Sequence, residues 1–153
     1  MTTTPDSIAD KNLDAACAAV TAEISRTDGK ASLLLAFNGA VLAGLASIAG
    51  RDLPIVTKAV GGMAVLALGA AAVLLLLVVR PKLRGDDRAS FPYWARQTDD
   101  DTVRASMDSD TRAARVRVLS GIAVAKFCGL RLAIDCTLTA LALLALAATV
   151  ALL

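Results

Sequence analysis

Three runs of the sequence, residues 31–50, 59–79 and 132–153, are apolar over about the length that a bilayer demands. A helix rises about 1.5 Å per residue, so roughly 20 residues cross a hydrocarbon core of about 30 Å. The first two runs hold no charged residue, and the third holds only Asp135, close enough to its start to be expected near the interface. A water-soluble reading would require three helices apolar on every face within 153 residues, and is set aside on those lengths. The expected fold is all-α: an integral membrane helical bundle with three transmembrane helices and a short cytoplasmic helical stalk, oligomeric in use.

Charge orients the bundle, because short loops rich in Lys and Arg stay on the cytoplasmic side. Three of the sixteen bases (Lys11, Arg26, Lys30) precede the first run, and two (Arg51, Lys58) sit in the turn after it. Residues 80–131 carry the other eleven. The N-terminus and the long connecting segment are therefore expected inside, in the cytoplasmic membrane, as part of a multi-pass chain. Residues 80–131 also hold seven aspartates, a local balance of +4 that suits anionic headgroups or an anionic small molecule. The same balance is the ordinary signature of a cytoplasmic loop. Four segments follow: a tail and amphipathic helix at 1–30, a transmembrane hairpin at 31–79, a basic cytoplasmic segment at 80–131, and the third span at 132–153.

Chemistry that needs histidine is excluded, since the chain has none. No phosphate loop, GxSxG or HExxH motif is present. Cys17, Cys128 and Cys136 show no paired spacing, so neither a disulfide framework nor a zinc site is expected. No cleavable-signal pattern precedes the first apolar run. Catalytic, cofactor and metal sites are thus all expected to be absent, as are DNA and RNA partners, and the lipid bilayer is the first partner implied.

Asp6 or Ser7 is a candidate N-cap, and Leu13, Cys17, Val20 and Ile24 then recur at steps of four, three and four, the stripe of an amphipathic helix. Its other face carries Asp10, Lys11, Asp14 and Glu23. Gly29 permits a bend or break before the first span, and Pro81 ends or kinks the second. Asp99, Asp100 and Asp101 read as a helix start rather than a metal site, with Asp108 or Asp110 capping the next helix. From about Thr111 the helical pattern runs into the third span with no proline to interrupt it.

Phe91, Tyr93 and Trp94 form the one aromatic cluster, either an interfacial anchor or a stacking platform for a base. Inside the spans, Asn38 pairs across helices, within the chain or between copies, and Asp135 either bonds Arg131 one turn earlier or lines a pore. Gly39, Ala43 and Ser47 share one face of the first span and Ala36, Ala40 and Gly44 a neighbouring one, a spacing that lets helices approach closely.

The stretch Arg26-Thr-Asp28-Gly-Lys30-Ala31-Ser32, running on to Asn38-Gly39, resembles the Asp-x-Lys-Ala lead-in to the first span of the transmembrane effectors of Pycsar antiphage systems. Phe91-Pro-Tyr-Trp94 stands where that family has its aromatic segment, and residues 116–131 resemble its helix leading into the last span. The likeness runs from about residue 10 to the end. It implies an effector switched on by a cyclic pyrimidine mononucleotide, cyclic UMP or cyclic CMP, that impairs the membrane by oligomeric rearrangement or pore formation. The chain has no separate nucleotide-binding domain, so a pocket would be built from the cytoplasmic helices. Arg26, Lys30, Arg112, Arg115, Lys126 and Arg131 are the candidate ligand contacts, with interfacial anchoring as the alternative role for each. The competing function is a non-gated small membrane scaffold or plasmid-transfer membrane protein.

Overall fold

A computed structural model describes residues 8–81, 90–108 and 110–152. The expected cap at Asp6 or Ser7 and the side chain of Phe91 lie outside the described residues. Those described form five helices and no strand: α1 (Ile8–Ile48), α2 (Ile55–Val79), α3 (Phe91–Trp94), α4 (Asp100–Met107) and α5 (Arg112–Leu152). The four prolines explain much of this division. None lies inside α1 or α5, and Pro54 and Pro81 bracket α2. Arg80 adopts φ −55° and ψ 125°, the extended backbone forced on a residue before proline, and α2 stops there. Pro92 sits in the first turn of α3, where its missing N–H has no helical acceptor to lose.

The bend or break that Gly29 permits is not taken, for α1 is helical without interruption through that position. An uninterrupted hydrogen-bond ladder is the stable choice where no proline removes a donor, and one glycine costs only about 1 kcal/mol.

The chain divides into two compact units. One comprises residues 27–80 and 126–153, the three apolar segments. Its α2 seam is Thr57, Ala64, Leu68, Ala71, Leu75 and Val78, at steps of three, four and seven. On α5 the matching seam is Leu130, Ala133, Thr137, Ala140 and Ala147, and on α1 it runs from Ala31 to Asn38. Seven-residue recurrence of this kind keeps one narrow face of each helix against its neighbours, the packing of helices crossing at about 20°. Ala31, Leu75, Val78, Leu130 and Ala133 form a core onto which Leu34, Leu35 and Leu74 pack. Asp28 pairs with Lys126 and Asn38 with Thr137, so α1 and α5 run parallel here while α2 returns between them.

The small-residue faces of α1 take no part in this core. Gly39, Ala43, Ser47, Ala36, Ala40 and Gly44 are all exposed, and a side chain added at Gly39 or Gly44 would meet nothing within 4 Å. α1 turns its larger residues, Leu34, Leu35 and Leu45, inward instead. The close approach falls elsewhere: a Cβ on Gly129 of α5 would lie 2.7 Å from Val78 Cγ2 of α2.

The other unit comprises residues up to 26 and 81–125, with the start of α1, α3, α4 and the first turns of α5. Asp99 caps α4 by accepting from Thr102 N and Thr102 Oγ1, both at 3.2 Å. Asp100 and Asp101 stand in the first turn of α4, where the positive end of the helix dipole favours them.

Gly129→Ala should destabilise the protein by about 1–3 kcal/mol, since the β-branched Val78 cannot swing aside. Thermal unfolding in detergent should recover in the Val78→Ala, Gly129→Ala double variant.

Candidate functional site

In the unit holding α3 and α4, eight residues line a cleft of about 400 Å³: Trp94, Ser106, Met107, Asp108, Asp110, Thr111, Arg112 and Arg115. Three belong to the two groups that the sequence singles out, Trp94 from the aromatic cluster and Arg112 and Arg115 from the cations. Trp94 is half-buried, and its indole N–H is shielded from solvent with no hydrogen-bond partner among the described residues. Tyr93 is half-buried in the same short helix, α3.

Arg112 is the most heavily engaged side chain in this unit. Its Nε donates to Asp110 Oδ1 at 3.0 Å, and Nη2 donates to Asp110 Oδ2 at 3.1 Å and to Asp10 Oδ1. Nη1 donates to Asp14 Oδ2 at 3.2 Å and to the Asp10 carbonyl at 3.3 Å. A guanidinium has five N–H donors, and all five are used. Asp110 also accepts from the Arg112 backbone N–H at 3.0 Å, from one residue outside the cap position at Thr111, whose carbonyl accepts from Arg115 N–H at 2.9 Å. Cys17 adds a long contact from Sγ to the Arg112 carbonyl, 3.9 Å.

The local electrostatics follow from these bonds. The Arg112 side chain, and then its backbone N–H, hold the Asp110 carboxyl below the usual carboxylate range. Hydrogen bonds to Asp110 and Asp14 push the guanidinium further toward its charged form. At Asp99 the backbone N–H of Asp101, followed by the hydroxyl and N–H of Thr102, again lowers the carboxyl. Sequence reasoning placed Asp10 and Asp14 only on the polar face of a helix and missed them as partners of Arg112. Their four-residue spacing is the available signal, because it sets two carboxylates on one helix face.

The six candidate cations are not one cluster. Arg26 pairs with Glu23 one turn back at 3.3 Å, and both are solvent-exposed. Lys126, with its side chain 10% exposed, pairs with Asp28. Lys30 and Arg131 are exposed and form no ion pair among the described residues. Only Arg112 and Arg115 share a cleft.

Between the apolar helices, Asn38 is fully buried and bonded within the chain, its Nδ2 donating to Thr137 Oγ1 at 3.2 Å. The Thr137 hydroxyl donates to the Ala133 carbonyl at 2.9 Å. Pairing between copies through Asn38 is thereby replaced by pairing across α1 and α5. Asp135 is exposed and makes no ion pair with Arg131 among the described residues. Thr137 is level with Asn38, eight residues past Lys30, so Asp135 stands about 9 Å beyond that lysine along the bundle.

Three helices long and apolar enough to cross a membrane, with polar groups paired between them, define a multi-pass helical membrane protein. A family model described as the Pycsar effector protein domain matches residues 12–153, and the chain belongs to that family. It is a membrane effector of antiphage defence. No curated protein and no solved structure gives a match.

Trp94 is the single tryptophan, so its emission reports on the cleft. Because the folded state lowers the Asp110 pKa, the stabilisation is complete above the ordinary aspartate value of about 3.9 and is lost as pH falls through the lowered one. The emission maximum should hold constant from neutral pH to about 5 and shift to the red below about 4. Arg112→Gln should show the red shift already at neutral pH.

Proposed function

We propose that this effector is switched by a cyclic pyrimidine mononucleotide, cyclic UMP or cyclic CMP, bound by its extramembrane helices, and that it acts by impairing the cell membrane as a homo-oligomer. Residues 1–30 and 80–131 are the sensing part, residues 31–79 and 132–153 the membrane part. The fourteen-to-two division of bases supports a cytoplasmic sensing part, the compartment in which such a nucleotide is made.

The observation that carries the sensing site is the Trp94 cleft. Its volume of about 400 Å³ lies within the range of small-molecule sites, and Trp94, Arg112 and Arg115 line it. Arg115 meets the single phosphate charge and Trp94 stacks on the base. Arg112 has no donor to spare, so a phosphate reaches it only by displacing Asp110, Asp14 or Asp10. Displacement of Asp10 and Asp14 loosens the hold of α5 on the start of α1, which is how binding favours a second packing. The ligand drives the change only to the extent that it prefers that packing. Lys30 then serves as an interfacial anchor, and neither Lys126, held by Asp28, nor Arg131 is a ligand contact.

The test is dye leakage from liposomes holding the purified protein, with either nucleotide added, alongside quenching of Trp94 emission. Nucleotide should increase leakage, and Arg115→Gln should raise the concentration needed by about tenfold or more, the loss of one charge-assisted contact. Neither quenching nor leakage with either nucleotide, together with a stable protein partner recovered from membranes, would establish the scaffold instead.

A further inference from the structure

The three apolar helices do not present equivalent outer faces. Beyond Lys58 in its first turn, the exposed side of α2 is hydrocarbon, including Val65, Leu66, Val73, Leu76 and Leu77, and suits lipid. On α5 the exposed side is different. Cys128, Arg131, Asp135, Thr139 and Thr149 are all exposed, and at 100° per residue they fall within about 80° of the helix circumference. This stripe lies directly opposite the packed face formed by Leu130, Ala133, Thr137 and Ala140.

Lipid is a poor neighbour for such a stripe. Asp135 lies about 9 Å past the level of Lys30 and one turn farther along the span than Arg131, so with the headgroups at the level of Lys30 the long arginine reaches them and the short carboxylate does not. An ionised group inside hydrocarbon is costly and normally faces protein or water. No described residue of the chain covers Asp135. The Thr139 and Thr149 hydroxyls are returned to their own helix, bonding the Asp135 and Leu146 carbonyls at 2.8 Å, which leaves the carboxylate as the group in need of a partner. Arg131 supplies the complementary charge one turn away on the same face, and the two are not paired with each other.

From this geometry we infer that the Arg131, Asp135, Thr139 stripe of α5 is the face through which copies of this chain associate in the membrane, with Arg131 of one copy paired diagonally to Asp135 of the next. The inference gives a surface to the oligomer invoked in the proposed function and rests on that reading only for the consequence of assembly. Association itself requires no nucleotide contact. A face that pairs two charges also brings the one hydrophilic stripe of the spans together, so loosening it admits water along α5.

Cysteine cross-linking of the full-length protein in membranes tests the surface, with Cys17, Cys128 and Cys136 replaced by serine. Thr139→Cys should give a cross-linked dimer, while Leu66→Cys on α2 and Ala43→Cys on the small-residue face of α1 should not. Arg131→Asp or Asp135→Arg should each lower the cross-linked fraction by about tenfold, and co-expression of the two variants should restore it, because each then meets its complement. Asp135→Asn, a gentler change, should give an intermediate loss and guards against misfolding of the reversals. Cross-linking through Ala43→Cys or Leu66→Cys but not Thr139→Cys would overturn the inference. So would charge reversals that leave Thr139→Cys dimers unchanged, the result expected if Arg131 and Asp135 pair within one helix. Nucleotide-induced leakage from a protein that gives no Thr139→Cys dimer would sink this interface and leave the nucleotide switch standing. A dimer that forms without any leakage would do the reverse.

Discussion

Lipid offers no hydrogen-bond partners and no hydrophobic drive between helices, and most features of the membrane unit answer to that constraint. Backbone groups are satisfied within each helix, and the helices meet through van der Waals contact over small side chains. Asn38 and Thr137 obey the same rule, two polar groups at the centre of the unit that satisfy each other and the Ala133 carbonyl, with neither exposed. Asp28 and Lys126 repeat the arrangement at the charged end. Each pair joins α1 to α5, so the helices most distant in sequence are the ones tied by polar bonds.

Beyond the apolar segments the organising group is Arg112. One guanidinium collects Asp10, Asp14 and Asp110, joining the start of α1, the approach to α5 and α5 itself. Exposed ion pairs taken singly contribute little, but a planar group with every donor used fixes geometry in a way that one flexible pair does not. The Trp94 cleft is built against this arrangement, with Arg115 one turn along the same helix. A sensor placed there reads the charge state of a small cluster rather than a single residue.

The helices and their ends were legible in the sequence where local chemistry decides them. Pro54 and Pro81 fix α2, Asp99 caps α4, and the lack of proline after Pro92 lets α5 run unbroken. The likeness around Asp28, Lys30 and Asn38 led to the family. What stayed hidden depends on pairing between distant segments. Nothing local shows that Arg112 meets two carboxylates about 100 residues away. Likewise the level of Asp135 against α1 is fixed only by the Asn38–Thr137 bond. The small residues of α1 stay outside the core of the chain for a related reason: a spacing shows that close approach is possible without naming the helix that approaches.

Alanine is the commonest residue of the buried seam of the membrane unit, with Ala31, Ala64, Ala71, Ala133, Ala140 and Ala147 between the bulkier Leu68, Leu75, Val78 and Leu130. Alanine has no rotamers to freeze and presents nearly the same smooth profile one turn up or down. Such a surface holds little steric memory of its register. The choice among neighbouring registers therefore falls to a few discrete keys, the Asn38–Thr137 bond, the Asp28–Lys126 pair and the Gly129 notch that admits Val78. A bundle latched at three points on otherwise frictionless rods is one in which a small push at one end becomes a slide rather than a collapse.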